Sequence, residues 1–349
     1  MRVLLIKMSS MGDVFHTFPA LSDAQAAVPD LKIDWVVEKG FAEISSWHPV
    51  VDQVYPIELR RWRKTPWSKQ TRQEIKAFFK TVNQTEYDLI LDAQGLLKSL
   101  WVARKVTAPI SGYDWQSVRE PLASLFYQHK FPVAKDQHAI LRLRQLFAQA
   151  LSYELADNQP IEYGLNTANW FKPEVLTKAI NEDGYMVFLH GTTWDTKYWP
   201  ETYWIELLAK VNAAGLKVVL PWGNDEEFQR AVRIAATTDS GMAWVPEKPL
   251  NLNTVAQILN AANGVVSVDT GLSHVAAALE VPMVVLYRVT DPVLVGADGS
   301  EVTRLESPCA PGYIKKFEST QQEQQSLEGI GVEDVWSVLT SVKKVGLND

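Results

Sequence analysis

The sequence has a single cysteine, Cys309, among its 349 residues. One cysteine cannot form an intramolecular disulfide, and this scarcity is typical of proteins kept in a reducing, cytoplasmic compartment. Long apolar runs are also missing, since none approaches the ~20 residues that a membrane-spanning helix needs. The first residues lack the apolar segment of a secretory signal peptide. We therefore expect a cytoplasmic protein without a transmembrane segment.

Motifs of several other enzyme classes are absent as well. The chain contains neither the G-x-G-x-x-G pattern of dinucleotide-binding enzymes nor a P-loop, which disfavours a dehydrogenase or a sugar epimerase. It also lacks an Asp-x-Asp motif and any His/Cys cluster with metal-ligand spacing. We expect no metal site and no required cofactor, and the sequence leaves open whether activity depends on a metal ion.

The chain does contain short apolar runs that alternate with helical patterns in two series. Its composition, 46% hydrophobic and 21% charged, is that of a globular protein, and its length is sufficient for two domains. Such alternation predicts parallel α/β sheets. The predicted strands are 3–6, 33–37, 51–57 and 87–92 in the first series, and 186–190, 217–221, 264–269 and 283–287 in the second.

Charge is divided unevenly between the two series. Residues 1–150 contain 20 Lys and Arg against 15 Asp and Glu, whereas the remainder contains 14 against 26. A basic half in an acidic chain predicts an anionic partner, and the net charge of −7 disfavours nucleic acid. Guanidinium groups suit carboxylates and phosphates, although a run of charge is usually a solvated face. The cations concerned are Arg60, Arg61, Arg63, Lys64 and Arg119.

Asp13 is the first candidate catalytic residue. It follows the first predicted strand after Gly12, and ligands of parallel α/β sheets bind beyond the carboxyl ends of the strands. A carboxylate there is placed to act as a general base toward an attacking hydroxyl. The alternative is that Asp13 only caps the following helix, a common use of Asp. The local sequence favours neither interpretation.

Two further segments predict a site for a nucleotide diphosphate. Asp269, Thr270, Gly271 and His274 lie where a buried strand meets a helix, and a helix N-terminus binds anions. The alternative is an ordinary capped helix with a buried His. We favour the functional interpretation because so many polar and small residues meet there.

The loop that follows the strand at 186–190 carries hydroxyls and a cation. Thr192 and Thr193 can bond phosphate oxygens, and Lys197 can neutralise the charge of a leaving diphosphate. Glu227 follows a later strand and is placed to hold ribose hydroxyls. For Glu227, a solvated helix start is nearly as good an explanation.

Several longer strings resemble those of one family. They are KMSSMGDV at 7–14, DWVVE at 34–38, RRWRK at 60–64, DAQGL at 92–96, REPLASLFY at 119–127, LPWG at 220–223 and SVDTGLSH at 267–274. With these strings the chain resembles the bacterial ADP-heptose:lipopolysaccharide heptosyltransferases, in particular the heptosyltransferase I branch. The likeness runs from residue 1 to about residue 300.

The resemblance implies an α/β protein of GT-B fold, with two facing Rossmann-like domains, parallel sheets and a central cleft. It implies an acceptor-binding domain at 1–160, a linker at 161–184, a donor-binding domain at 185–325 and a C-terminal helix at 326–349 that could return to the first domain. The implied reaction is inverting transfer of L-glycero-D-manno-heptose from ADP-heptose to the Kdo of Kdo2-lipid A, in lipopolysaccharide inner-core synthesis. The implied enzyme is a monomer, peripheral on the cytoplasmic face of the inner membrane, that binds no nucleic acid.

The resemblance also implies roles for individual residues. Asp13 would be the catalytic base. The implied donor-binding residues are Thr192, Thr193, Lys197, Glu227, Leu250, Asp269, Thr270, Gly271 and His274. The implied acceptor-binding residues are Ser10, Arg60, Arg61, Arg63, Lys64 and Arg119.

Two positions depart from the pattern of the family. Leu250 stands where relatives have Met, a mild change if only backbone or apolar surface touches adenine. Arg288 stands where relatives have a Gly-like residue, which could alter the loop beside the diphosphate.

Two alternative functions remain open for this sequence. One is heptosyltransferase II or another ADP-sugar transferase of the same family, which would use an already heptosylated acceptor or a different one. The other is a non-catalytic protein that binds nucleotide sugars or polyanions, which would bind ADP-heptose without turnover.

Overall fold

The computed structural model describes residues 1–168, 170–171, 173–180, 184–341 and 345. The chain folds into two compact units, Met1–Thr167 and Ala168–Asp349. The division falls within the segment 161–184, for which the sequence predicts a linker.

The first unit contains six parallel strands in one sheet, in the order β3-β2-β1-β4-β5-β6. Its strands are β1 Arg2–Ile6, β2 Lys32–Glu38, β3 Val51–Ile57, β4 Leu89–Asp92, β5 Ile110–Tyr113 and β6 His129–Phe131. Its helices are α1 Met11–Phe15, α2 Phe18–Ala27, α3 Ala42–Ser45, α4 Leu59–Lys64, α5 Lys69–Val82, α6 Leu97–Ala103, α7 Pro121–Ser124 and α8 Ala139–Leu151.

The second unit repeats this plan, with the strand order β12-β11-β10-β7-β8-β9. Its strands are β7 Tyr185–Leu189, β8 Lys217–Val219, β9 Ala243–Trp244, β10 Gly264–Val268, β11 Met283–Tyr287 and β12 Val302–Glu306. Its helices are α9 Glu174–Ala179, α10 Glu201–Ala213, α11 Asp225–Ala235, α12 Leu252–Asn260, α13 Gly271–Ala278, α14 Pro292–Val295, α15 Thr320–Gln325 and α16 Val332–Ser341.

Helices cover both faces of each sheet. The two central strands of each sheet therefore have apolar side chains on both faces. Residues 3–6 of β1 are fully buried, and β7, β10 and β11 are buried along their whole length. Parallel strands buried on both faces read as continuous apolar runs, which is why the sequence revealed them. Gly215, with φ of +85°, ends α10 in the left-handed conformation that glycine adopts readily.

The helices of the first unit are held together by a buried ion pair. Arg144 on α8 is bonded to Asp23 on α2, with Nε–Oδ2 2.6 Å and NH2–Oδ1 3.0 Å. Both side chains are about 5% exposed. The guanidinium also donates to the carbonyls of Gln159 and Pro160, so the pair fixes the chain that follows α8.

Helix α16 contributes to the core of the second unit. It packs against α10 and β11, and Val335 and Leu339 are buried in that core. Ile330, just before the helix, accepts a hydrogen bond from the indole of Trp199 in the same core. The apolar face of the C-terminal helix therefore completes the core of the second unit.

Among the described residues, no helix is long and apolar enough to cross a membrane.

Candidate functional site

Each unit has one position where its strand order changes direction. In the first unit it lies between β1 and β4, and in the second between β7 and β10. Such switch points open a crevice at the carboxyl ends of the strands, and ligands bind there. The loops that follow these four strands carry most of the residues that the sequence singled out.

Asp13 lies at the switch point of the first unit, in the first turn of α1. Its Oδ2 accepts hydrogen bonds from the backbone N–H of Ser10 at 2.7 Å and from the Ser10 hydroxyl at 3.1 Å. The carboxylate thus caps α1, as the structural interpretation predicted. Its other oxygen faces Lys7, whose Nζ donates to Oδ1 at 3.0 Å, and 31% of the side chain stays exposed. Capping therefore leaves part of the carboxylate accessible to a substrate.

The charge state of Asp13 is set by these neighbours. Burial alone would raise the pKa of Asp13, but the charge of Lys7 and the N–H of Ser10 outweigh it. Together they lower the pKa of Asp13 to about 2. The group is a carboxylate at neutral pH, able to accept a proton.

Gln94 joins the two loops at this switch point. Its Oε1 accepts the backbone N–H groups of Met8 at 2.9 Å and Ser9 at 3.2 Å, across 85 residues of sequence or more. The turn that holds Gln94 is organised by Asp92, which is fully buried and accepts the Gln94 N–H at 3.1 Å. Burial raises the pKa of Asp92. The loop carrying Asp13 is thus fixed by side chains from the end of β4.

Lys98 is a site residue that the sequence analysis missed. Its Nζ donates to the Ser9 hydroxyl at 3.2 Å. Burial lowers the pKa of Lys98, and the positive charges of Arg60 and Arg119 lower it further, whereas Asp13 acts in the opposite direction. The charges of Arg60, Arg119, Glu38 and Asp13 therefore all act on Lys98. The position of Lys98 in the sequence could have identified it. Lys98 lies in the first turn of the helix after β4, at the same edge of the sheet as Asp13.

The predicted basic run lies on α4, and its residues fall into two groups. Arg61 is paired with Glu58 and with Glu74, so its charge is neutralised within the protein. Arg60, Arg63 and Lys64 are exposed, and none of them forms an ion pair with another residue in the described part of the chain. Arg61 thus positions α4 against α5, whereas the other three are available to an anion.

Asp269 organises the switch point of the second unit. Its Oδ2 accepts from Lys197 Nζ and from the hydroxyl of Thr290, each at 2.6 Å. Its backbone carbonyl accepts from the hydroxyl of Thr192 at 2.9 Å. The ends of β7 and β10 are thereby connected through three of the predicted residues. Thr290 is an addition that the sequence did not reveal, because it comes from the end of β11.

Helix α13 begins at this point and points its N-terminus into the same loops. Thr270 is the residue before the helix and Gly271 is its first residue, and both are partly exposed. The N–H groups of the first turn and the helix dipole favour an anion here. His274 is buried at the fourth position of the helix, 7% exposed. Thr193 is exposed in the loop after β7.

Glu227 lies at the same edge of the sheet. Its Oε2 accepts the N–H of Gly223 at 2.7 Å. A side chain at Gly191 would meet the Glu227 carboxyl group, with its Cβ 2.5 Å from Cδ. A side chain at position 191 would therefore have to displace the Glu227 carboxyl group from the loop after β7. Leu250 is partly buried just before α12, and no described contact joins it to these residues.

Two lysines, Lys197 and Lys315, lie close to the indole ring of Trp194. Lys197 Nζ is 4.6 Å from the centre of the Trp194 ring, and Lys315 Nζ is 5.0 Å from it. Such contacts with an indole are attractive and restrain the cations. Lys315 is a further residue that the sequence analysis missed, since it lies 118 positions after Lys197.

Arg288, the departure from the family pattern, has a structural role. It is buried, and its guanidinium donates to the Ser326 hydroxyl at 2.8 Å and to the Tyr198 carbonyl at 2.7 Å. Its Cζ also lies 4.6 Å from the centre of the Phe317 ring. Arg288 therefore joins the loop after β7 to the segment around α15.

No group of three or more His, Cys, Asp or Glu residues that could hold a metal ion occurs within the described part of the chain.

Comparisons with known proteins agree on one family. The model of Glycosyltransferase family 9 (heptosyltransferase) matches residues 75–325. Lipopolysaccharide heptosyltransferase 1 of Pseudomonas aeruginosa is 48% identical over 330 residues, which cover 93% of this chain and 90% of that protein. Lipopolysaccharide heptosyltransferase 1 of Escherichia coli K12 is 46% identical over 310 residues, covering 88% and 94%.

Solved structures give the same result for the fold. E. coli heptosyltransferase WaaC with ADP superposes with a TM-score of 0.86 at 41% identity, covering 98% of this chain and 99% of that one. WaaC with ADP-2-deoxy-2-fluoro heptose gives a TM-score of 0.82 over the same share of both chains. The predicted α/β fold of GT-B type, with two Rossmann-like domains, is confirmed.

Proposed function

Since the chain belongs to glycosyltransferase family 9, the heptosyltransferases, we propose that it transfers L-glycero-D-manno-heptose from ADP-heptose to the Kdo of Kdo2-lipid A. The observation that carries the proposal is the presence of two unlike switch points, one in each unit. One holds a carboxylate among cations, and the other holds a helix N-terminus with a buried lysine. A transfer to an anionic acceptor from a diphosphate donor needs both.

The donor is assigned to the second unit. The first turn of α13, from Thr270 and Gly271, would bind the diphosphate, with Thr192 and Thr193 beside it. Lys197, 14% exposed, would neutralise the negative charge that grows on the diphosphate as the bond to the anomeric carbon breaks. Glu227 would hold the ribose hydroxyls, while Leu250 would contact adenine. His274 lies one turn into the same helix and completes the donor set.

The acceptor is assigned to the first unit, with Asp13 as its general base. The acceptor hydroxyl oxygen attacks the anomeric carbon from the side opposite the diphosphate, and its proton passes to the Asp13 carboxylate. ADP leaves with the electron pair of the broken bond, so the configuration inverts. Lys7 and the Ser10 N–H keep Asp13 ionised and oriented for this step.

The anionic groups of the acceptor are assigned to the cations around Lys98. Arg60, Arg63, Lys64 and Arg119 are exposed in the same unit, and they would bind Kdo carboxylates and lipid A phosphates. The same face would meet anionic lipid, giving a peripheral enzyme on the cytoplasmic face of the inner membrane. Ser10 would contact the sugar, whereas Arg61 acts through α4.

The proposal is tested by ADP release from ADP-heptose with Kdo2-lipid A, without acceptor, and with an already heptosylated acceptor. We expect release that depends on Kdo2-lipid A, together with a product that gains one heptose by mass spectrometry. Release only with the heptosylated acceptor would assign the later transfer instead. Binding of ADP-heptose without release for any acceptor would indicate a binding protein and refute the proposal.

A further inference from the structure

The first unit contains an apolar groove that the proposed transfer does not use. It lies between α4, α5 and α6 and has a volume of about 560 Å³. Its apolar walls are formed by Leu59, Trp62, Pro66, Ile75, Leu97 and Trp101. Leu97 and Trp101 are 45% and 36% exposed, so the groove is open at α6.

Two polar groups in these walls are already bonded within the protein. The indole N–H of Trp62 donates to Glu74 at 2.9 Å. The carboxylate of Glu120, which also lines the groove, accepts the backbone N–H of Leu97 at 2.6 Å. A peptide placed here would leave its backbone N–H and C=O groups without partners, which is costly. A saturated hydrocarbon chain carries no such groups and loses nothing by entering.

Two cations line the groove, and one of them, Lys98, is connected to the proposed catalytic carboxylate. Arg63 and Lys98 line the groove together with the apolar residues. Lys98 Nζ is bonded to the hydroxyl of Ser9, which is followed by Ser10, the hydrogen-bond partner of Asp13. An occupant would therefore have a hydrocarbon part between the helices and an anionic part at the cluster of cations. This is the charge pattern of an anionic lipid.

We propose that the groove binds one fatty-acyl chain of the lipid acceptor while the anionic headgroup occupies the cations around Lys98. The inference rests on the proposed function for the identity of the acceptor, but the groove itself does not depend on it. Each methylene buried in such a site contributes about fourfold in affinity. Acylation should therefore act on the KM of the acceptor, since the chain lies away from the reacting atoms.

The test compares Trp101→Gln and Leu97→Ser with Leu122→Ser, a control on α7 with a similarly exposed leucine (54%) outside the groove. Initial rates are measured with Kdo2-lipid A and with its de-acylated form, which keeps the sugars and phosphates. We expect the groove variants to raise the KM for the acylated acceptor by about tenfold or more. The KM for the de-acylated acceptor, kcat and the control should stay unchanged. Equal effects on both acceptors would overturn the proposal.

A binding measurement separates failure of this proposal from failure of the proposed function. Displacement of the fluorescent fatty acid cis-parinarate by myristyl phosphate is followed for the wild type and the three variants, without any donor. Binding that is lost in Trp101→Gln and Leu97→Ser and kept in Leu122→Ser supports the acyl groove even if no acceptor is turned over. Binding that is unchanged in the groove variants overturns it. If the groove binds myristyl phosphate but its variants do not change the KM for Kdo2-lipid A, the groove binds a free amphiphile and not the acceptor. That result would contradict the proposal.

Discussion

At the scale of single residues, the Asp13 carboxylate combines a structural role, as a helix cap, with a proposed chemical role, as a base. The oxygen of Asp13 that caps α1 is bonded to Ser10, and the other is bonded to Lys7. The two interpretations that the sequence left open for Asp13 are therefore compatible. The pKa of about 2 follows from both contacts, and it means that Asp13 remains ionised throughout the pH range of an enzyme assay.

Replacing Asp13 by Asn should separate the capping role from the proposed catalytic role. The amide oxygen can still accept from Ser10, but the side chain can no longer take up a proton. We expect kcat to fall by ~10²–10⁴, the usual contribution of a positioned base, while the Kd of ADP-heptose is unchanged. Single-turnover kinetics and calorimetric titration measure the two quantities. A kcat within a factor of about two of the wild type would refute the role of Asp13.

The pH dependence of the wild type provides a second measurement on the same residue. The pKa of Asp13 in the folded protein lies below its ordinary value of 3.8, so its stabilising interactions are complete above about pH 4. They are lost only as the pH falls through about 2. The rate should therefore show no acid limb from Asp13 between pH 5 and 8, and an Asp13-dependent limb near neutral pH would contradict the assigned pKa.

At the scale of secondary-structure elements, helix pairs are fixed by a few buried polar contacts in addition to apolar packing. The Arg144–Asp23 pair joins α8 to α2 and to the chain around Pro160, and both charges are shielded from water. Removing one partner leaves a buried charge without compensation, which costs more than the pair contributes. No local sequence pattern indicates this pair, since 121 residues separate the partners.

We expect Arg144→Ala to lower the free energy of unfolding by about 3–5 kcal/mol. The double variant Asp23→Leu with Arg144→Met should recover most of this loss, because it removes both charges and retains apolar volume. Urea denaturation followed by circular dichroism gives both values. If the double variant were as unstable as Arg144→Ala, the cost would come from lost packing and not from the unpaired carboxylate.

At the scale of the whole molecule, the two similar sheets carry different charge. The half with Asp13 is basic and the half with Asp269 is strongly acidic, although both have the same strand order. The exposed cations lie beside the switch point of the first unit, whereas Lys197 is mostly buried. Salt screens exposed charges much more strongly than buried ones. The two substrates should therefore respond differently to ionic strength.

Raising NaCl from about 0.05 to 0.5 M should increase the KM for Kdo2-lipid A severalfold, as the screening length falls from over 10 Å to below 5 Å. The KM for ADP-heptose should change less, because backbone N–H groups and a buried lysine hold the diphosphate. Arg60→Gln should reduce the salt dependence. Lys130→Gln, which removes an exposed cation on β6, should leave it unchanged. Equal salt dependence for both substrates would contradict the assignment of the acceptor to the basic half.

Sequence alone determined the two α/β series, because strands such as β1 and β10 are buried on both faces and therefore appear as local apolar runs. The same local signals identified the loops that carry Asp13, Lys197 and Asp269, since ligand-binding residues follow the ends of strands. Four strands were missed. Strands β6 and β9 have only two or three residues, which give no periodicity. Strands β5 (ISGY) and β12 (VTRLE) are interrupted by small or polar residues and do not form continuous apolar runs.

Only the tertiary structure decided which charges are available and which are already paired. Arg61 is neutralised by Glu74, whereas Lys98 joins Ser9 and the remaining cations. The apolar groove likewise needs three helices from different parts of the chain. These contacts depend on which strands and helices become neighbours, and that adjacency is set by packing across the sheet, which leaves no trace in the order of residues along the chain.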